Sequence, residues 1–168
     1  MHVHTTNSHD GFIDPRDLPK LVKVKGLDGI AITDHDRISR VSSKSFLSIP
    51  GVEVTTQDGH LIGLGVESSI PSGCTAIEAV EAIHDQSGVV IIPHPYDLTS
   101  KSLDPVRYVG KVEGLEVINA SAVNILRGRR YLEEFAECNF LAKIGGSDSH
   151  IPETLGDAYT MVQVDSVG

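Results

Sequence analysis

The sequence predicts an α/β protein whose strands form a parallel sheet or barrel. Short apolar segments alternate along the chain with segments of helical periodicity, which is the order produced by repeated strand–helix–strand units. Several of the apolar segments are continuously hydrophobic, as parallel strands covered on both faces are. The 168 residues are enough for one domain with a sizeable core. We therefore expect a single compact α/β domain over residues 1–168.

The strands are predicted from four clear apolar runs and three weaker ones. The clear runs are residues 29–33 (GIAIT), 88–93 (GVVIIP), 115–118 (LEVI) and 141–144 (LAKI). The weaker runs are residues 3–5, 52–55 and 61–66. Three helical segments lie between them, and this alternation favours parallel pairing.

The helices are predicted from capping signals and apolar periodicity. Residues 15–24 follow Asp14, a plausible N-cap, and begin with proline, which the first helical turn accepts. A second helix, 75–87, begins with the capping box TAIE and ends before a glycine. The longest helix is predicted over residues 121–138, with apolar residues near one face.

The composition is that of an ordinary soluble protein, with 40% hydrophobic and 22% charged residues. No apolar run approaches the roughly 18 residues that span a bilayer, and the N-terminus does not have the pattern of a signal peptide. Cys74 and Cys138 do not suggest a secreted disulfide scaffold. We therefore expect a cytoplasmic protein with no membrane partner. The net charge of −9 argues against a basic nucleic-acid surface, but bound cations would still make a pocket attractive to phosphate.

The most informative feature of the chain is its eight histidines, most of which lie near carboxylates or near each other. The clusters are His2-Val3-His4, Asp34-His35-Asp36, His60, His94-Pro95 and Asp148-Ser149-His150. Almost every cluster follows a predicted strand. Because the carboxyl ends of parallel strands share one rim, these side chains should converge. Imidazole and carboxylate ligands in this distribution are typical of a hydrolytic centre with more than one metal ion.

The first clusters each have a simpler alternative explanation. His2 and His4 lie on one side of a strand and can grip one ion, but short histidine pairs near a terminus also arise by chance. Asp10 precedes a glycine and fits a turn equally well. The segment 34–36 could be a helix N-cap with a solvated loop. A buried strand that runs directly into three ionisable residues nonetheless favours a functional site.

The later candidates differ in strength. Glu53 lies inside an apolar strand, and burying an unpaired charge costs several kcal/mol or more, so a partner is expected unless the residue faces outward on an edge strand. His60 alone is better explained as a hairpin residue. His94 lies between two prolines at the end of an apolar strand. Asp148 and His150 follow two glycines and can point into one pocket.

The remaining candidates concern the substrate or the surface. His84 is interpreted as structural, and His9 as a solvent-exposed residue at a loop tip. Arg127 and Arg129 could bind an anionic substrate, or could pair with glutamates at helical spacing. Asn119 ends a predicted strand and is a further candidate for contacting substrate. We take these two arginines and Asn119 as candidate substrate contacts.

The clusters, in this order, resemble the PHP (polymerase and histidinol phosphatase) superfamily of metal-dependent phosphoesterases. The matching segments are 2–11 (HVHTTNSHDG), 31–36 (AITDHD), 50–65 (PGVEVTTQDGHLIGLG), 91–95 (IIPHP), 114–120 (GLEVINA) and 145–160 (GGSDSHIPETLGDAYT). Together they span nearly the whole chain. The resemblance implies a distorted, TIM-like barrel of seven strands, most similar to the compact TrpH-like branch, with residues 141–168 resembling the PHP-associated C-terminal part.

The resemblance also implies nine metal ligands, all histidines or carboxylates, that hold two or three divalent ions such as Mn, Fe or Zn. The first ion would be held by His2, His4, Glu53 and Asp148. The second would be held by Glu53, as a bridging ligand, with His60 and His94. The third would be held by Asp10, His35 and His150. Three divalent ions would outweigh the three carboxylates, and a pocket of positive sign suits phosphate.

The implied reaction is hydrolysis of a phosphate ester by a hydroxide that bridges the metal ions. Glu53 and Asp148 would hold this hydroxide in place through the ions, and no side chain would act as the nucleophile. The expected substrate is a nucleotide, a short oligonucleotide or a small phosphomonoester. A non-catalytic metal-binding module is an alternative that the complete ligand set disfavours, and a histidinol-phosphatase-like enzyme is another. A metal-dependent amidohydrolase would need a carboxylated lysine at a strand end, and the sequence offers none, since Lys143 lies within a strand and has no recognisable partner.

Overall fold

The computed structural model describes residues 1–122 and 125–163, with the side chains of residues 125–127 outside that description. Within these residues, one six-stranded sheet carries three α-helices and two short 3-10 helices. The strands are β1 (Gly29–Ile32), β2 (Leu47–Thr55), β3 (His60–Leu64), β4 (Val89–Ile92), β5 (Gly114–Asn119) and β6 (Ala142–Gly146). The helices are α1 (Leu18–Val24), α2 (Ala76–His84) and α3 (Ile125–Cys138), and the 3-10 helices are Pro105–Tyr108 and Pro152–Thr154.

The strands lie in the sheet in the order in which they occur in the chain. β1 and β2 are parallel, β4, β5 and β6 are parallel, and β3 is antiparallel to both of its neighbours. The expectation of an all-parallel arrangement is therefore wrong for β3. The reason is the connection from Thr55 to His60, because four residues are enough for a hairpin but far too few for a parallel crossover.

The sheet is curled into a half-barrel, and the N-terminal segment lies across its open side at the carboxyl ends of the outer strands. The Thr33 N–H, just after β1, donates to the carbonyl oxygen of Val3 at 2.9 Å, and the His4 N–H donates to the carbonyl oxygen of Ser149 at 2.9 Å. Val3 and Thr5 form only isolated bridges. A closed barrel of seven strands is thus not formed by the described residues, since the expected strand at 3–5 is a bridging segment.

Local hydrogen bonds account for where helices α1 and α2 begin. α2 confirms the predicted capping box, because Thr75 accepts from the Glu78 N–H and the Glu78 carboxylate accepts from the Thr75 N–H. α1 begins at Leu18 instead of residue 15. The expected cap, Asp14, instead accepts hydrogen bonds from the backbone and side chain of Arg16 and so forms a turn before the helix. The described part of α3, Ile125–Cys138, lies within the predicted range of 121–138.

The largest hydrophobic cluster lies between the sheet and helices α2 and α3. Ile83 of α2, Leu132 of α3 and Leu115 of β5 are among its buried members. A second cluster packs α1 against β1 and the N-terminal segment, with Val3, Leu18 and Ile32 at its centre. These two clusters hold the outer strands and the N-terminal segment in place, so the carboxyl rim is a rigid platform.

Two further features of the described residues bear on the sequence analysis. No helix within 1–122 and 125–163 is long and apolar enough to cross a membrane. Cys74 and Cys138 are both free thiols, the first partly buried and the second exposed.

Candidate metal centre

Nine side chains from seven parts of the chain meet at the carboxyl rim of the sheet. They are contributed by the N-terminal segment and the loop after it, by the ends of β1, β4 and β6, by the interior of β2 and by the start of β3: His2, His4, Asp10, His35, Glu53, His60, His94, Asp148 and His150. His60 reaches the rim from the start of its strand because β3 is reversed. Its pairing with Thr55 places it beside the end of β2.

Glu53 lies at the middle of the cluster and is 1% exposed. Its Oε2 atom lies 3.0 Å from Nε2 of His2 and 3.1 Å from Nε2 of His4. Its Oε1 atom lies 3.0 Å from Nδ1 of His60 and 3.0 Å from Nε2 of His94. Each carboxylate oxygen therefore faces its own pair of imidazoles, as a carboxylate between two cations would.

Asp148 completes a fully buried group with Glu53 and the two N-terminal histidines. Its Oδ1 atom lies 3.3 Å from Nε2 of His2 and 3.4 Å from Nε2 of His4. All four ligand atoms lie within 4.8 Å of one another. The structure thus brings together the four residues that the resemblance assigns to the first ion.

The other two groups are also assembled, but the membership of each differs from the expected set. Asp10, His35 and His150 meet as expected, and His4 joins them. The remaining group consists of His35, Glu53 and His60. His94, which was expected there, contacts the Glu53 carboxylate, while His35 belongs to two groups.

The distances within the cluster fit ligands of shared cations. Two ligand atoms that are each about 2.1 Å from one ion lie roughly 3.0–3.4 Å apart at octahedral or tetrahedral angles. The separations of the His2 and His4 nitrogens from Glu53 and Asp148, and of His60 from Glu53, fall in that range.

Unpartnered nitrogen atoms point to the same conclusion. Among the described residues, Nε2 of His4 and Nδ1 of His60 are buried and make no hydrogen bond, although each lies close to a Glu53 oxygen. Buried polar atoms are rarely left without a partner. A divalent cation would satisfy both nitrogens, so the donor set fits a metal site.

The electrostatics of the cluster favour ionised carboxylates. Burial alone would raise the pKa of Glu53 and of Asp148, but the neighbouring charge of His2 and the closeness of the other histidines hold the pKa of both well below its usual range. Burial would likewise lower the pKa of His4, but the proximity of Asp148 and Glu53 raises it to about 9. For His35, burial dominates and the pKa is lowered. The buried carboxylates therefore favour positive charge at the rim, either on protonated histidines or on bound cations.

Three of the candidate ligands have strained backbone conformations. His2, His94 and Asp148 have φ values of 61°, 32° and 49°, in a region that residues other than glycine seldom occupy. Such conformations cost on the order of 1–3 kcal/mol each, and they concentrate at functional sites. Here they turn His2 and His94 toward Glu53, and Asp148 toward the His2 ring.

The sequence analysis missed a buried carboxylate directly behind the cluster. Glu116 of β5 is 1% exposed and accepts from Nδ1 of His2 at 3.1 Å, from the His94 N–H at 2.7 Å and from Nδ2 of Asn119 at 2.8 Å. Histidines that bind metal commonly use their other ring nitrogen in this way, which fixes the tautomer and the orientation of the ring. The signal in the sequence was a glutamate within an apolar strand, the same signal that pointed to Glu53.

Asp34 supports the other side of the cluster and was recognised only as part of a motif. It is fully buried and accepts from the N–H of Thr5 at 2.5 Å, from the Thr5 hydroxyl at 2.8 Å and from the Ser39 hydroxyl. These bonds tie the end of β1, which carries His35, to the segment that carries His4.

The candidate substrate contacts lie in different environments. Asn119 is buried, and its amide donates to Glu116 and to Asp148, at 3.1 Å for the latter, while its oxygen accepts from two backbone N–H groups. It therefore positions Asp148. The side chain of Arg129 is half exposed and pairs with Glu133 at 2.8 Å. The side chain of Arg127 lies outside the described residues.

The two histidines that were set aside lie apart from the ligand groups. The side chain of His9 is 78% exposed at the loop tip. His84 contacts Glu113 at 3.0 Å on the surface. Lys143, which an amidohydrolase mechanism would have required, is half exposed and lies 3.8 Å from Glu137.

Comparisons with known proteins point to one family. A family described as PHP-associated matches residues 130–167. An uncharacterised protein of Methanocaldococcus jannaschii is 35% identical over 137 residues, which are 71% of this chain and 80% of that protein. A 5′-3′ exoribonuclease of Haemophilus influenzae is 27% identical over 116 residues, which are 58% of this chain and 42% of that protein.

A solved structure shares the fold. A two-domain protein from Bacteroides vulgatus, containing a predicted PHP-like metal-dependent phosphoesterase, matches with a TM-score of 0.72 and 21% identity. The match covers 92% of this chain and 52% of that chain, so the present chain spans about half the length of that protein. The architecture defined here is a curled α/β sheet with histidines and carboxylates at its carboxyl rim. The chain belongs to the PHP superfamily.

Proposed function

We propose that this protein is a hydrolase that cleaves phosphate esters with the help of two or three divalent metal ions. The observation that carries the proposal is the Glu53 carboxylate, whose two oxygens each lie 3.0 or 3.1 Å from two imidazole nitrogens. A carboxylate in this position can be shared by two cations. Paired cations are a recurring means of phosphoester cleavage.

The proposed ion sites follow the three ligand groups. The first would be held by His2, His4, Glu53 and Asp148, the second by Glu53, His60 and His94 with His35 nearby, and the third by Asp10, His35 and His150. When bound, divalent ions lower the pKa of water and stabilise negative charge on phosphoryl oxygens. Mn, Fe and Zn all fit a set of imidazole and carboxylate ligands.

The protein's own residues orient the ligands and exclude bulk water. Glu116 holds the His2 ring through Nδ1, so that Nε2 faces Glu53 and Asp148. Asn119 donates to Asp148 and so directs the other carboxylate oxygen toward the histidines. This arrangement assigns no nucleophilic role to a side chain, and the proposed attack is by water.

We propose a nucleotide, a short oligonucleotide or a small phosphomonoester as the substrate. The similarity to an exoribonuclease supports a nucleotide or oligonucleotide. The acidic chain, with a net charge of −9, would repel a phosphate unless cations reverse the sign of the potential at the rim. Recognition of the phosphate is therefore assigned to the metal centre, with Arg129 as a possible second contact.

The proposal is tested by loading the purified protein with Mn²⁺ and assaying phosphate release from nucleoside monophosphates, short oligoribonucleotides and sugar phosphates. We expect release from at least one class. His94→Ala and Asp148→Ala should abolish it, because each removes a group that contacts Glu53 or completes the first ligand set. His84→Ala, a surface histidine, is the matched control and should retain full activity. Bound metal without release from any ester would instead favour a non-catalytic metal-binding module.

A further inference from the structure

A cleft of about 390 Å³ opens beside the metal centre, between α3 and the loop that follows β4. His94, Glu116 and Asn119 line its inner end, and these residues contact or orient the candidate ligands. The cleft thus leads away from the place where the phosphate would bind. A group attached to that phosphate would lie in it.

Apart from its inner end, the cleft is lined by apolar and aromatic side chains together with Asp97 and Arg129. Val117 and Leu132 are buried on its inner walls, and Leu98 and Tyr96 are exposed at its mouth. The Tyr96 hydroxyl donates to Asp104 at 3.1 Å, and its ring centroid lies 6.1 Å from that of Tyr131. The Tyr96 ring is therefore held in place, with 42% of the residue open to solvent.

A glycine in the first described turn of α3 lines the same cleft. Gly128 is the fourth of the 14 described residues of this helix, and glycine is less favourable in a helix than alanine. A Cβ atom at this position would meet nothing within 4 Å, so packing does not require the glycine. Its presence leaves the cleft wide at the point where α3 faces the β4 loop.

We propose that this cleft binds the organic group of the phosphoester, and that the group is a planar heterocycle of nucleobase size. The volume is within the range of small-molecule pockets, and a flat ring can stack on a tyrosine while its edges contact aliphatic side chains. This inference rests on the proposed function, because only hydrolysis at the metal centre makes the cleft a site for the attached group. Tyr96, Gly128 and Leu132 would form the site that determines specificity for this organic group.

The test is equilibrium binding of adenosine, which has no phosphate, with ribose as the matched control without a base. Both are titrated into the full-length protein by calorimetry, once with Mn²⁺ bound and once after chelation. We expect adenosine to bind in both states and ribose in neither, because the cleft itself contributes no metal-dependent contact.

Variants assign the binding to the cleft. Gly128→Leu should weaken adenosine binding at least tenfold by filling the cleft, while the melting temperature stays the same or rises, because leucine is a better helix former than glycine. Tyr96→Leu should weaken it roughly tenfold, the order expected for the loss of one stacking face. Arg130→Leu, on the exposed side of the same helix, should leave binding unchanged.

The outcomes separate this inference from the proposed function. Absence of adenosine binding, or equal binding by wild type and Gly128→Leu, would overturn the assignment of the cleft, even if phosphate release is intact. Adenosine binding that is lost in Gly128→Leu, in a protein that releases phosphate from no ester, would support the cleft as a base-binding site and refute the phosphoesterase.

Discussion

Two buried glutamates, Glu53 and Glu116, determine the chemistry of the rim at the scale of single residues. Glu53 faces four imidazoles, and Glu116 lies behind them, where it orients His2 and accepts from the backbone of His94. The sequence pointed to Glu53 because a charge inside an apolar strand needs a partner. The same argument holds for Glu116, but the sequence alone does not indicate which partners a strand residue will meet across the sheet.

Gly146 lies directly against the carboxylate of Glu116. A Cβ atom at Gly146 would overlap the Glu116 carboxylate, so the carboxylate can occupy this place only with glycine at position 146. The sequence shows two glycines before Asp148, and Gly146 is the one that lies against Glu116. What it approaches could not be predicted from spacing.

Replacing Glu116 with glutamine should weaken metal binding about 10- to 100-fold, as loss of a supporting carboxylate typically does. The amide keeps the volume but presents a donor to groups that already donate, so the His2 ring is no longer held in one tautomer. The measurement is a competition titration with a chelating indicator. Glu113→Gln, at an exposed glutamate beside the same strand, is the control, and equal affinities for the two variants would contradict a positioning role for Glu116.

At the scale of elements, the reversal of β3 is the feature that completes the site. A ligand at the start of a parallel strand would lie on the opposite rim, whereas the hairpin from Thr55 brings His60 beside Glu53. Strand positions were predictable from apolar runs, and α2 from its capping box. The direction of β3 was missed, although the four-residue connection between Thr55 and His60 is too short for a parallel crossover.

The capping box of α2 offers a test of stability that is independent of the metal. Thr75→Ala should lower the free energy of unfolding by about 1 kcal/mol, since the Glu78 N–H loses its acceptor at the first turn. Urea denaturation of the chelated protein measures the difference. Ser42→Ala, at an exposed loop residue, is the control. Thr75→Ala should bind as much metal as wild type, and a loss of metal would show that the cap and the centre are coupled.

At the scale of the whole molecule, the rim joins parts of the chain that the sheet alone does not connect. The N-terminal segment is joined to the ends of the outer strands β1 and β6 by backbone hydrogen bonds, one at Thr33 after β1 and three at Ser147 and Ser149 after β6, and it carries His2 and His4 into the cluster. The sequence analysis expected a seventh strand closing a barrel. The described residues instead form a half-barrel of six strands, in which the candidate metal centre lies across the open side.

The central claim is that Glu53 joins at least two divalent cations, and counting bound ions tests it most directly. Wild-type protein saturated with Mn²⁺ and freed of excess metal should retain two or more ions per chain by elemental analysis. Glu53→Gln keeps the shape of the side chain but removes the shared charge, and it should retain no more than one. Fewer than two ions in the wild type, or equal numbers in both proteins, would contradict the account.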